Sequence, residues 1–291
     1  MVDNILLKPI LDYTDDEIRD LALKVVNNNC VVLHEQNLTK AQHIEACKRF
    51  GKMDRNEYSF NPVDAREISI VSGQRDEEGR RIGMFGEDEL EWHQNGSARH
   101  EFDDIIVSLY CVEECIDTVL SVCSQVDCFA ELPTEIQEKY RGIDIHLDFV
   151  HDAIYNISEH DIPGIDHEPV AEVRTGTTGP NTYTHQESVD RMPLVGVHPV
   201  DGREYLYFAL PFMVGASHRS TGIMMTDEEF KDFYDEMWGY LFKSKYMVHH
   251  VFRKGDLLIM DQLHTIHRRS PIHKKERQLW RTAFDYTNIK F

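Results

Sequence analysis

Imidazole, amide, imidazole and guanidinium recur along this chain in an order that suits metal and carboxylate binding. His93 and Asn95 stand two apart in EWHQNGS. In an extended segment, residues two apart face the same side, so both side chains can address one point. Far downstream, GDLLIMDQLHTIHRRSP carries His264 and His267. Their offset of three puts them on opposite faces of an extended segment, so only one joins the first pair. Beyond them Arg281, in LWRTAFDY, sits on a strand that can run back alongside. Its planar guanidinium suits bidentate recognition of a carboxylate. The chain has 16 histidines, so spacing alone does not single these out. A lone strand histidine is more often a hydrogen-bonded core or surface residue.

The elements that must position these groups are legible in part. Thr14 with Glu17, Thr39 with Gln42, and Thr226 with Glu229 each form a capping-box pattern ahead of an apolar stripe. The stripes are Ile18, Leu21, Ala22, Val25 and Val26 in the first helix, and Phe230, Phe233, Met237, Tyr240 and Leu241 in the third. Gly51 is expected in the usual C-terminal position of the second helix. Nine segments read as strands: Cys30–His34, Glu67–Val71, Ile105–Val112, Val119–Val122, Asp144–Phe149, Glu204–Phe208, Met247–Phe252, Leu257–Met260 and Leu279–Tyr286. Nine strands with a few helices predict a mainly β fold, a sandwich or jelly roll with helical cover. Residues 73–91 and 151–196 lack periodic pattern, and long irregular connections of this kind tend to be lids or binding loops. With no repeat, low-complexity tract or linker, residues 1–291 read as a single domain.

Composition narrows the function classes. The chain has 31 basic and 51 acidic residues, a formal charge of −20. Such a surface repels phosphate backbones and anionic membranes, which argues against nucleic acid or membrane as partner. No apolar run approaches the roughly 18 residues that span a bilayer, and the N-terminus has no signal-peptide pattern. The six cysteines, Cys30, Cys47, Cys111, Cys115, Cys123 and Cys128, form no CxxC pair. They are expected to be buried free thiols of a reducing, cytoplasmic compartment.

Taken in order, these pieces resemble the taurine dioxygenase family over nearly the whole chain. VVLHEQNLTKAQHIEACKRFGKM is similar to that family's strand–helix segment ending in RFG. EWHQNGS matches its W-H-x-D motif, and SLYCVEECIDTVLSV its strand pair ending in G-D-T, at Thr118. VGVHPVDGREYLYF resembles H-P-x-[ST]-G-x-x-x-L-[FY], with Asp201 where Ser or Thr is usual. GDLLIMDQLHTIH resembles G-D-x-x-x-W-D-N-x-x-x-x-H, which selects His267 over His264. The resemblance implies a double-stranded β-helix (jelly roll, cupin-like) core. It implies iron(II) held by His93, position 95 and His267, with 2-oxoglutarate as co-substrate and O2 as oxidant. Arg281 would hold the distal carboxylate of 2-oxoglutarate, with Thr118 adding a hydrogen bond. The expected reaction is oxidation of a C–H bond of a small polar metabolite, with release of succinate and CO2. Folds of this kind often form homo-oligomers.

The chain departs from the pattern at Asn95, where the family has a ligating Asp, and at Met260-Asp261-Gln262-Leu263, where it has W-D-N-R. An amide oxygen can bind iron but brings no negative charge. Hydroxylation therefore leads, followed by halogenation at the missing carboxylate, and then by an inactive relative. Glu89 or Glu91 would be a substitute carboxylate. Two readings from other classes are a jelly-roll binding module whose metal site has decayed, and a zinc hydrolase using His93, His264 and His267.

Overall fold

The chain is described by a computed structural model covering residues 3–5, 8–53, 61–80, 82–85, 89–94, 105–114, 117–147, 190–209, 213–272 and 277–291. Five helices are found among them: α1 (Asp15–Asn28), α2 (Lys40–Lys48), α3 (Gln125–Ala130), α4 (Thr134–Arg141) and α5 (Asp227–Leu241). All three expected capping boxes form. Thr14, Thr39 and Thr226 each accept the backbone N–H three residues on at 3.3 Å, and Glu17, Gln42 and Glu229 reach back to the cap N–H. These bonds satisfy donors that the first helical turn would otherwise leave open.

The described strands make four open sheets. The largest has the order β1 (Asp3–Ile5), β2 (Cys30–Leu33), β13 (Leu257–Asp261), β5 (Ile106–Glu113), β15 (Gln278–Phe284), β3 (Ser69–Ser72). It is antiparallel apart from β1 against β2. A second sheet runs β12 (Met247–His250), β6 (Leu120–Ser124), β14 (Thr265–Arg269), β4 (Leu90–His93). A third has β11 (Met213–His218), β7 (Ile143–Leu147) and β8 (Asp190–Pro193), and β10 (Glu204–Leu206) pairs with β9 (Val195–Val197). The molecule is mainly β with a few helices, as the strand pattern predicts.

Alternation along the strands sorts their side chains into three cores. On one face of the large sheet, Leu33, Leu257, Ile259 and Phe284 pack on Ile18, Leu21, Val25 and Ile44 of α1 and α2. On its other face, Val32, Leu109, Leu258, Leu279 and Ala283 meet Leu120 and Val122 of the four-stranded sheet. The outer face of that second sheet, with Trp92, Cys123 and Ile266, is covered by residues of α3 and α5 and by the third sheet. Each fully buried Leu, Ile or Phe contributes about 1.5–3 kcal/mol, so these layers hold the interior rigidly.

Several elements differ from the sequence expectation. The strands β1, β4, β8, β9, β11 and β14 and the helices α3 and α4 were not anticipated. Within 73–91, the described residues make backbone hydrogen bonds: Ile82 N–H donates to Gln74 O at 3.2 Å and Met84 N–H to Ile70 O at 2.7 Å. Met84 and Phe85 are buried in the core between the sheets. Of the expected loop 151–196, residues 151–189 lie outside the described residues, and 190–196 fall in β8 and β9. Five of the six cysteines are free and buried, and Cys115 lies outside the described residues.

Gly51 does not serve as a left-handed cap. Arg49 caps α2, and Gly51 is required because a Cβ there would lie 2.0 Å from Asp285 Oδ1 and 2.3 Å from Asp285 O. Lys52 N–H donates to that same carboxylate at 2.7 Å. Gly51→Ala is therefore expected to destabilise the fold by about 1–3 kcal/mol, seen as a lower urea midpoint at unchanged slope. An unchanged midpoint would remove the close approach as the reason for glycine.

Helix α2 also buries an imidazole. His43 Nε2 meets Ser108 Oγ at 2.8 Å, with the ring against Tyr110 and Trp280. Burial pushes its pKa down to about 3. The unfolded chain takes up this proton near pH 6.5. His43 thus contributes stability in full above about pH 6.5 and loses it progressively as pH falls toward 3. The variant His43→Gln should flatten the acid limb of a stability-versus-pH curve in this window. A limb as steep as that of the wild type would contradict a neutral buried His43.

Candidate active site

Strand register brings two of the expected residues together. His93 of β4 and His267 of β14 are direct cross-strand partners, with ring centroids 4.4 Å apart. On its other side His267 pairs with Val122 of β6, which lies in the core between the sheets. His267 therefore points inward, while its neighbour Ile266 packs on the outer face. Trp92, next to His93, also lies outside, stacked on Phe242 at 4.6 Å with Arg268 over its ring. The two imidazoles look into the space between the sheets with Phe85 at their side, its ring 6.5 Å from that of His93.

Both rings are held neutral. Burial pushes His93 down to about 4; its bond to Glu91 O opposes the shift, while the Arg269 and Arg281 charges reinforce it. Burial also lowers His267 well below the usual imidazole range, with His93 and Arg281 adding to the effect. A neutral imidazole has a lone pair to give, as metal ligation requires. His93 Nδ1 lies 2.7 Å from the Glu91 carbonyl oxygen, so Nδ1 carries the hydrogen and Nε2 the lone pair. Metal-ligating histidines are commonly oriented in this way. The two residues thus fit a divalent transition metal. Asn95 lies outside the described residues, and so its contribution is not part of this geometry.

Arg281 enters from the opposite sheet. On β15 it alternates with Leu279 and Ala283, both in the core between the sheets. It is buried, and its charge reaches both histidines. Thr118, also buried, precedes β6 on the alternation that carries Leu120 and Val122 inward.

Two further buried cations, Arg269 and Arg277, lie near these residues. Arg269, two residues beyond His267, is buried and acts on His93. Arg277 is buried, lies 6.0 Å from the Phe252 ring and pulls against the burial that raises the Cys111 thiol. The alternation Arg277, Leu279, Arg281 marked it as facing the same way as Arg281. The proposed substitute carboxylates turn away. Glu89 pairs with Arg268 at 3.5 Å, and Glu91 is exposed.

His264 does not join the pair. It sits in the turn before β14 against His198, ring centroids 4.1 Å apart, which excludes the zinc triad with His93 and His267. Together with Asp201 these residues form a second group whose ligand atoms lie within 4.8 Å of one another. Spacing gave no hint of it.

Comparison with known proteins places this arrangement. The sequence profile of the taurine catabolism dioxygenase TauD, TfdA family matches residues 6–283. Among solved structures, a taurine dioxygenase from Burkholderia xenovorans superposes with a TM-score of 0.67 at 16% identity, covering 95% of this chain and 84% of the other. AAD-2, in complex with Mn(II) and N-oxalylglycine, gives 0.68 at 14% identity, covering 100% and 97%. At these identities the structures speak for the fold alone. No curated protein matches. TauD-type enzymes use iron(II), 2-oxoglutarate and O2. From the profile match over nearly its whole length, this chain belongs to the TauD/TfdA family of 2-oxoglutarate-dependent dioxygenases.

Proposed function

We propose that the chain is a single iron(II)- and 2-oxoglutarate-dependent oxygenase domain that hydroxylates a C–H bond of a small polar metabolite. The observation that carries this reading is the inward-facing, neutral pair His93 and His267 opposite buried Arg281. In this reading the two facing sheets are the double-stranded β-helix core. Residues 73–91 and 151–196 are proposed to border the substrate. Five buried free thiols support a reducing, cytoplasmic setting.

His93 and His267 would hold iron through a ring nitrogen each, with Asn95 offering an amide oxygen as third ligand. Bound iron with 2-oxoglutarate and O2 supplies the oxidising power, and 2-oxoglutarate leaves as succinate and CO2. The protein's own part is to orient and to exclude water. Arg281 binds the distal carboxylate of 2-oxoglutarate by a charge-assisted pair in a low-dielectric interior, where such bonds are strong. Thr118 adds a hydrogen bond to that carboxylate. Arg269 and Arg277 face the same interior and favour an anionic group on the substrate or a second hold on the co-substrate. Phe85, Leu120 and Val122 keep the surroundings apolar.

Anaerobic titration with iron(II) and 2-oxoglutarate should give the weak visible charge-transfer band of the chelate. The band is expected to disappear in His267→Ala and Arg281→Ala. Its absence at saturating iron would overturn the catalytic reading in favour of a binding module. A chloride-dependent shift would put halogenation ahead of hydroxylation. Asn95→Asp restores a unit negative charge, worth about 4 kcal/mol at 4 Å and an effective dielectric of 20 before desolvation. Iron(II) affinity measured by competition with a chelator should rise at least about tenfold. Unchanged affinity would mean that position 95 does not face the metal.

A further inference from the structure

On the opposite face of the large sheet, a second polar group is buried among the apolar side chains. Asp261 continues the alternation of Leu257 and Ile259 toward the helical side. Its carboxylate accepts four hydrogen bonds: Leu263 N–H at 3.0 Å and His264 N–H at 3.1 Å on Oδ1, and His198 Nε2 at 3.0 Å and Tyr286 O–H at 2.9 Å on Oδ2. Burial opposes its ionisation, but the His198 bond and the neighbouring imidazoles hold its pKa below the usual value. The carboxylate is therefore a pure acceptor, and His198 Nε2 must carry a hydrogen.

That assignment fixes the other end of the ring. His198 Nδ1 carries the lone pair of the ring, which accepts a hydrogen bond from Val200 N–H at 3.3 Å. It faces Asp201 Oδ1 at 3.3 Å. His264 is oriented in the same sense: Nδ1 lies 3.3 Å from the Val26 carbonyl oxygen, so Nε2 carries its lone pair. This fully buried Nε2 has no hydrogen-bond partner among the described residues and faces Asp201 Oδ1 at 3.7 Å. Three lone pairs thus converge. Val200 N–H and Arg203 N–H serve the first two, whereas the buried His264 Nε2 is left unserved, a cost that a cation would remove. Arg203 does not enter the gap: it donates to Asp201 from its backbone N–H at 3.0 Å and its Nε at 2.5 Å, and to Val26 O.

We propose that His198 Nδ1, Asp201 Oδ1 and His264 Nε2 form a second, structural metal site for a zinc-class divalent cation, separate from the His93–His267 pair. Zinc bonds of about 2.0–2.2 Å to nitrogen and oxygen imply tetrahedral edges of roughly 3.3–3.5 Å. The two edges to Asp201, 3.3 and 3.7 Å, need shifts of only a few tenths of an ångström, and the edge between the two imidazoles, within 4.8 Å, closes further on binding. The supporting bonds match those of metal-bound histidines, one imidazole donating to a carboxylate and the other to a backbone carbonyl. Two carboxylates against one guanidinium leave a surplus negative charge for the cation to balance. A proton on either ring would serve only one of the two imidazole–carboxylate contacts, whereas a divalent ion serves all three ligands. Asp201 retains 19% side-chain exposure, giving an entry path. It also stands where the family pattern has Ser or Thr, so the site is this chain's own departure. The ion would tie the β9–β10 connection to the β13–β14 turn, beside the end of α1.

The test is metal binding by the full chain, freed of metal and titrated with Co(II) and Zn(II). Wild type should take up two Co(II) per chain and give the intense visible absorption of a tetrahedral site. This absorption should persist in His267→Ala, and vanish in His264→Ala and in Asp201→Ser, which restores the usual residue type and keeps the fold. Zn(II) should raise the melting temperature of wild type and His267→Ala but not of Asp201→Ser. Loss of a ligand should weaken Zn(II) more than the roughly 10–100-fold typical of losing a supporting bond. A tetrahedral signal lost only in His267→Ala, uptake of fewer than two Co(II) by wild type with no tetrahedral signal, or equal Zn(II) stabilisation of Asp201→Ser would overturn the proposal and leave a proton as the shared cation. The oxygenase reading fails separately, through the iron chelate band.

Discussion

The proposed iron-binding pair depends on one strand register: His93 opposite His267 across the β4–β14 ladder. Side chains alternate with a period of two, so a slip of one residue would send Ile266 or Arg268 inward and His267 out to the helical layer. The register is held from both flanks. Val122 fixes His267 from β6, and the Gln94 side chain donates to the Gln262 and Thr265 carbonyls of the β13–β14 turn at 2.8 and 3.2 Å. Once both imidazoles face an apolar interior, burial and the neighbouring arginines keep them neutral. Packing that stabilises the sandwich therefore also prepares the proposed metal ligands.

The same large sheet serves two polar constructions on its two faces. Toward the second sheet it contributes Arg281, Arg277 and an apolar lining. Toward the helices it contributes Asp261, whose four donors come from its own turn, from His198 and from Tyr286. A carboxylate so well satisfied organises its surroundings. It fixes the His198 tautomer and pins the backbone at His264, three residues before His267. The two proposed sites thus adjoin the same β13–β14 connection and share no residue.

The sequence made the helices legible because their caps and stripes are local, and all three capping boxes form as their spacing predicts. Strands rich in β-branched residues were also visible, to within a few residues at their ends. Strand β14, Thr265–Arg269, was not, because its inward positions are His and Arg rather than apolar residues. Short β4 was hidden for the same reason, and α3 by its length. Of the site, His93, His267 and Arg281 could be named because a linear motif order carries them. Arg277 was readable from strand alternation alone. The group of His198, Asp201, Asp261, His264 and Tyr286 was not, since distant segments meet only once three layers have packed. Gly51 points the same way: its glycine answers to Asp285, far along the chain, and not to the helix it follows.

The most direct measurement is iron K-edge X-ray absorption on the anaerobic complex of the full chain with iron(II) and 2-oxoglutarate. The account predicts scattering from two imidazoles in a six-coordinate, otherwise oxygen-ligated shell, falling to one imidazole in His267→Ala. A shell with a single imidazole in wild type, or one unchanged by His267→Ala, would contradict the assignment of the His93–His267 pair as the iron-binding centre.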